Sequence, residues 1–168
     1  EVVRLLAEEG RLVSGRPDAV DRTFGIPEGA KEVIGRRLNR LSHHCKETLV
    51  VASIIGREFD FGTLSQLLEG LPEGQLLNVL DEALAARIID DMPSAVGHYR
   101  FTHSLIRETL AQELSAARRA QLHSRIGLVL EATYGQRVGE HAPELAHHFA
   151  EAAGFGNKEK AVHYALMA

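Results

Sequence analysis

Apolar residues recur at helical spacing along most of the chain, and the few places where that period breaks divide it into elements. Pro27 opens a helix in which Ala30, Val33, Ile34, Leu38 and Leu41 share one face and Lys31, Arg36, Arg37 and Arg40 the other. Ser42 caps the next, a nearly all-apolar helix through Leu49, Val50, Ala52, Ile54 and Ile55 that stops at Gly56, a pattern that predicts burial on most sides. Asp60 caps a short helix carrying Phe61, Leu64, Leu67 and Leu68, and Gly70 ends it. Pro72 starts another, with Leu76, Leu80, Ala83 and Leu84 inward. The period then changes: "RIIDDMPSAVGHYRF" holds two short apolar runs around a Pro, Ser and Gly loop, which predicts a β-hairpin. Three helices and a hairpin predict a winged helix.

In "YRFTHSLIRETL" the alternation of Tyr99 and Phe101 ends a half-buried strand, and Leu105, Ile106, Thr109 and Leu110 resume the helical period, so His103 stands at the junction. Ser115 caps a long helix with Leu122, Ile126, Val129, Leu130 and Thr133 on one face, ending near Gly135. A helical pair follows. Leu145, Phe149 and Ala152 mark its first member, a Gly-rich turn and an Asn157 cap separate the two, and Ala161, Tyr164, Ala165 and Ala168 mark the second. Small residues at facing positions let such helices approach closely, as in tetratricopeptide-like repeats. The expected fold is mainly α: a connector over residues 1–25, a winged-helix domain over 26–114, and the start of an α-helical repeat arm over 115–168. The first ten residues, with Val2, Val3, Leu5 and Leu6 at helical spacing before Gly10, read as the end of a helix. Neither end carries a start or stop signal, so the chain reads as a segment of a longer protein with further repeats beyond it.

Composition narrows the function classes. With 168 residues, 45% hydrophobic and 25% charged, the chain can bury a core and is not disordered. A formal charge of −4 gives no general attraction to nucleic acid or anionic lipid. One cysteine, Cys45, leaves no internal disulfide and fits a reducing compartment. The longest apolar run, residues 49–55, is interrupted by Ser53 and is too short to span a bilayer, and no secretory signal precedes it, so the expected location is the cytoplasm. The helix that would enter a DNA groove turns Glu73, Asn78, Asp81 and Glu82 outward, and Asp90 and Asp91 stand at the hairpin. Carboxylates would therefore face phosphates. That favours a packing or switching module. A free-standing DNA-binding winged helix and a protein-binding scaffold remain as alternatives.

Candidate chemistry is sparse. His141, Glu144 and His148 can share a helix face, and Glu144 with His147 makes the i, i+3 pair of carboxylate di-metal bundles, but no second Glu-x-x-His helix is present. Solvated positions flanking a core stripe account for them. His103, Ser104 and Glu108 offer the residue types of a nucleophile relay without a Gly-x-Ser-x-Gly elbow. No Gly-x-x-x-x-Gly-Lys-Ser/Thr loop occurs, so no nucleotide hydrolysis and no catalysis are expected of this segment unaided.

The ordered set "IPEGAKEVIGRRLNRLS", "VASIIGREFDF", "LDEALAARIIDD", "YRFTHSLIRETL", "RRAQLHSRIGLVLE" and "HAPELAHHFAEAAG" resembles the segment after the nucleotide-binding core of STAND-type AAA ATPases. These are large bacterial signal-transduction proteins that include LuxR-family (MalT-like) transcriptional regulators and relatives carrying adenylate cyclase domains. The resemblance implies that the first residues end the ATPase lid, that a winged helix follows, and that residue 115 begins a sensor arm. It implies ATP or ADP with Mg²⁺ in the longer protein, none being held by this segment. The implied partners are an upstream nucleotide-binding domain and downstream repeats in cis, and a protein or small-molecule inducer on the arm. Neither a membrane nor direct DNA contact is implied. His103 takes the place of the histidine in the family's Met-His-Asp motif, which approaches the β-phosphate of ADP, with Thr102 and Ser104 where that motif has Met and Asp. From the residues alone two roles stay open. A histidine at a helix N-terminus can meet an anion beside free N–H groups, or it can order the turn by hydrogen bonding.

Overall fold

The computed structural model describes residues 28–168 except Ser94, so the predicted helix and connector of residues 1–25 lie outside the described residues. Helix α1 spans Glu28–Leu38. Ile34, Leu38 and Leu41 are buried as their spacing predicts, whereas Val33 is exposed. Helix α2, His43–Ile55, begins where Ser42 Oγ accepts the Cys45 N–H at 3.2 Å. Cys45, Leu49 and Ala52 have no exposed surface at all. Ser42 is held a second time: its N–H and its hydroxyl each donate to a carboxylate oxygen of Glu82, both at 2.6 Å. Glu82 is therefore not the outward residue that the helical period suggests. It clamps the start of α2.

Strand β1, Glu58–Asp60, leads into α3, Phe61–Leu67, and Asp60 caps α3 by accepting the Thr63 N–H at 2.8 Å and its hydroxyl at 2.7 Å. Helix α4, Glu73–Ala85, buries Leu76, Val79, Leu80 and Ala83. The expected hairpin is formed by β2, Ile89–Asp91, and β3, His98–Phe101. It is joined by a strand that sequence patterning does not reveal, giving an antiparallel sheet in the order β1-β3-β2. Glu58 pairs with Arg100 and Asp60 with His98. Three residues are too few to display an alternation, and only the aromatic packing of Phe59, with ring centroids 5.8 Å from Tyr99 and 5.6 Å from Phe101, marks the strand.

Helices α5, Ser104–Gln112, α6, Ala116–Tyr134, α7, Ala142–Glu151, and α8, Lys158–Met167, complete the chain. Turns of 3₁₀ helix over Gly135–His141 and Ala153–Phe155 join the last three. The described chain is thus mainly helical with one small three-stranded sheet, and its buried residues form a single cluster from Ile34 to Tyr164.

The buried stripe of α6 keeps Ile126 and Leu130 of the predicted one but is turned away from Thr133. His123, Ile126, Gly127 and Leu130 face inward, Leu122 and Val129 are half-buried, and Thr133 is exposed. The stripe centres on Gly127, which adds no hydrophobic signal because a neighbour fills its place: the Phe149 ring of α7 lies against the bare backbone. On α8 only Tyr164 is buried, and Ala165 and Ala168 are exposed. Asn157 precedes α8 without capping it. Its amide donates instead to Ser124 Oγ at 2.8 Å and to the Phe155 carbonyl at 3.2 Å, tying the turn back to α6.

Gly127→Ala tests that contact. Its Cβ would stand 2.8 Å from Phe149 Cε1, and the ring is fully buried and stacked on Tyr164 at 5.7 Å. The overpacking cost, roughly 1–3 kcal/mol, outweighs a helix-propensity gain of up to about 1 kcal/mol. Urea denaturation should show a net loss of about 1–2 kcal/mol, and a gain would mean that the helices do not approach this closely.

Candidate functional site

His103 sits where β3 turns into α5, and the surrounding corner is built by backbone carbonyls. Helix α4 ends in a paired closure in which the Ile88 N–H donates to the Ala83 carbonyl at 3.0 Å and the Arg87 N–H to Leu84 at 2.9 Å. The closure requires a left-handed residue, and Arg87 supplies it at φ 54° without being a glycine. Two side chains hold it in place. The Arg37 guanidinium, from α1, donates to the Ala86 and Arg87 carbonyls, both at 3.0 Å, and so sets a cation at the negative pole of α4. The Thr102 hydroxyl lies 3.1 Å from the Arg87 carbonyl and 3.2 Å from that of Ile88. The basic face of α1 therefore contributes at least one arginine to structure.

Thr102 thus orders the strand-to-helix turn. His103 occupies the N-cap of α5 with extended backbone, and its carbonyl accepts the Ile106 N–H at 3.1 Å. Its ring is exposed and, among the described residues, takes no hydrogen bond, ion pair or ring contact. Ser104 is the exposed first residue of α5, and no hydrogen bond joins it to His103 or Glu108. Of the two roles open for His103 from sequence, ordering the turn falls to its neighbour.

The histidines of the arm separate into two groups rather than converging. His141 stacks on Tyr134 with ring centroids 3.7 Å apart, and Tyr134 donates to Glu144 at 2.7 Å. Burial and that carboxylate together push the Tyr134 phenol up. His148 turns the other way. It is buried, not solvated, and its Nδ1 lies 2.9 Å from Nδ1 of His123, which is also buried. Among the described residues no group of three or more His, Cys, Asp or Glu is arranged to hold a metal ion. Further along α6, Glu131 binds Lys160 and accepts the Tyr164 hydroxyl at 2.6 Å. Burial opposes its charge, but these two donors hold its carboxyl below the usual range.

The His123–His148 pair is the feature that patterning passes over, although a signal exists. His123 extends the Ile126, Gly127, Leu130 stripe and His148 lies within the Leu145, Phe149, Ala152 stripe, so each histidine falls at a core position of its helix. Comparison with family models, curated proteins and solved structures finds no match for this chain.

Two substitutions test the corner in opposite directions. Arg37→Ala removes both guanidinium hydrogen bonds at a partly exposed site and should lower stability by about 1–2 kcal/mol in chemical denaturation. Arg87→Gly relieves the left-handed backbone and should raise it by roughly 0.5–1 kcal/mol. Stability unchanged by Arg37→Ala would show that the corner does not depend on the clamp.

Proposed function

We propose that this chain is the regulatory relay segment of a nucleotide-switched signal-transduction ATPase of the STAND type, in the setting of a bacterial transcriptional regulator, with no catalysis of its own. The order helix, strand, two helices and two strands from α2 to β3, with β1 pairing on β3, supports a winged-helix reading of this part. The close packing of α7 on α8 across a short turn supports a helical-hairpin arm of the tetratricopeptide kind.

The single observation that carries the proposal is the exposed ring of His103, unbonded among the described residues, on a turn that Thr102 orders. A polar ring that the described residues do not use is available to a partner, and its position at the start of α5 sets it beside N–H groups that favour an anion. In the longer protein the partner is the β-phosphate of ADP on the upstream nucleotide-binding domain, where ATP or ADP is held with Mg²⁺. A hydrogen bond present only in the closed arrangement stabilises that arrangement alone. Downstream repeats and an inducer on the arm would then act on the same equilibrium from the other side. The DNA-binding alternative is disfavoured by the exposed Glu73, Asp81, Asp90 and Asp91 along α4 and β2.

The test is His103→Ala in the full-length protein. A charge-assisted hydrogen bond is worth on the order of 1.5–3 kcal/mol, so ADP should leave roughly 10- to 100-fold faster and output should rise without inducer. Because the ring bonds nothing among the described residues, the melting temperature of the present chain should not change. An unchanged ADP off-rate rejects the sensor role.

A further inference from the structure

Helices α6 and α7 meet through two imidazoles, beside which the Phe149 ring lies against Gly127. His123 is 6% exposed and His148 1%. A hydrogen bond between two ring nitrogens needs one proton and one lone pair, so both rings must be neutral or one at most charged. The Ile55 backbone, at the end of α2, favours the charged form of His148, which places a ring N–H towards it. With its Nδ1 engaged by His123, that N–H is the one on Nε2. The Nδ1 of His148 is then the acceptor, and His123 donates from its own Nδ1.

We propose that the His123–His148 pair is an acid-opened latch that fastens α7 to α6. A first added proton goes to Nε2 of His123 and leaves the hydrogen bond intact, but it places a charge in the interface. The groups acting on that charge are Arg119 of α6 and His147 and Glu151 of α7, of which Glu151 alone favours it. From α2 only the Ile55 backbone acts on the pair. A second proton, on His148 Nδ1, sets two N–H groups against each other and the contact opens. The latch does not depend on the nucleotide-switch reading.

Burial, then the neighbouring imidazoles, hold His123 down at about 4 and His148 at about 3. In the opened state both rings return to about 6.5. The closed form is therefore fully favoured above that value and loses ground as pH falls from 6.5 towards the closed-state values, by about tenfold per unit for each ring released. Between pH 7.5 and 5.0 this amounts to roughly 30-fold for one ring and on the order of 10²- to 10³-fold for two.

The experiment is native-state hydrogen exchange at pH 7.5 and 5.0, corrected for intrinsic rates, on the wild-type protein and on the double variant His123→Gln/His148→Gln. Protection of the α7 amides should fall at least about 30-fold at the lower pH in the wild type while α4 amides keep theirs, and the difference should vanish in the variant. Undiminished α7 protection, an equal fall in α4, or the same fall in a folded variant would overturn the proposal. If the variant does not fold, NMR titration of the wild-type rings decides: both should titrate below pH 5, and either ring titrating near 6.5 contradicts the latch.

Discussion

A helix with most of its length enclosed needs partners for its terminal N–H and C=O groups, and that constraint on α2, buried from Thr48 to Ile55 but for the half-buried Val50 and Val51, organises the rest of the molecule. Helices α3, α4, α5 and α6 and strand β1 all pack on it. At its start Ser42 caps the first turn while the Glu82 carboxylate, from α4, takes both the Ser42 N–H and the hydroxyl. At its end the Gly56 N–H returns to the Ala52 carbonyl at 3.3 Å, and the Ile55 backbone favours the charged form of His148, from α7. Within it the buried Ser53 hydroxyl donates to the Val50 carbonyl at 2.7 Å. The polar needs of one helix thus fasten α4 to its start.

The remaining polar contacts extend this frame outward. Arg125 of α6 donates to the Leu67 carbonyl at the end of α3, at 2.8 Å, so the long helix is bound to the sheet-bearing part as well as to the arm. Glu131 with Lys160 and Tyr164, and Asn157 with Ser124, carry the same attachment on to α8 and the turn before it. Arg37 and Thr102 fix the corner between α4, β2 and α5, and the His103 ring beside it takes no bond among the described residues.

Patterning reads the elements whose burial is apolar and whose ends carry caps. Ser42, Asp60 and Ser115 each accept the backbone N–H that their positions foretell, and the inward stripe of α4 falls on Leu76 and Leu80 as spacing demands. It fails where a core position is filled by something other than a hydrophobic side chain. Gly127 hides a close approach, His123 and His148 hide an interior contact, and Glu82 hides a tertiary cap, because each need is met by a residue distant in sequence. Arg87 hides the end of α4 for a related reason, since the left-handed position lacks the glycine that would announce it. For His103 the junction itself is legible, but the freedom of its ring depends on the Thr102 hydroxyl, which no local pattern indicates.

A relay requires that the sheet-bearing part and the arm move as one body, joined through α2. The most direct measurement is the distance between spin labels on two exposed residues, Asn78 on α4 and Val162 on α8, each replaced by cysteine. Cys45 stays unlabelled because it is buried and its thiol is pushed up to about 12, by burial first and by Glu82 second. At neutral pH the account predicts one narrow distance distribution; a broad or two-peaked one would mean that α2 does not couple the two parts and would contradict it.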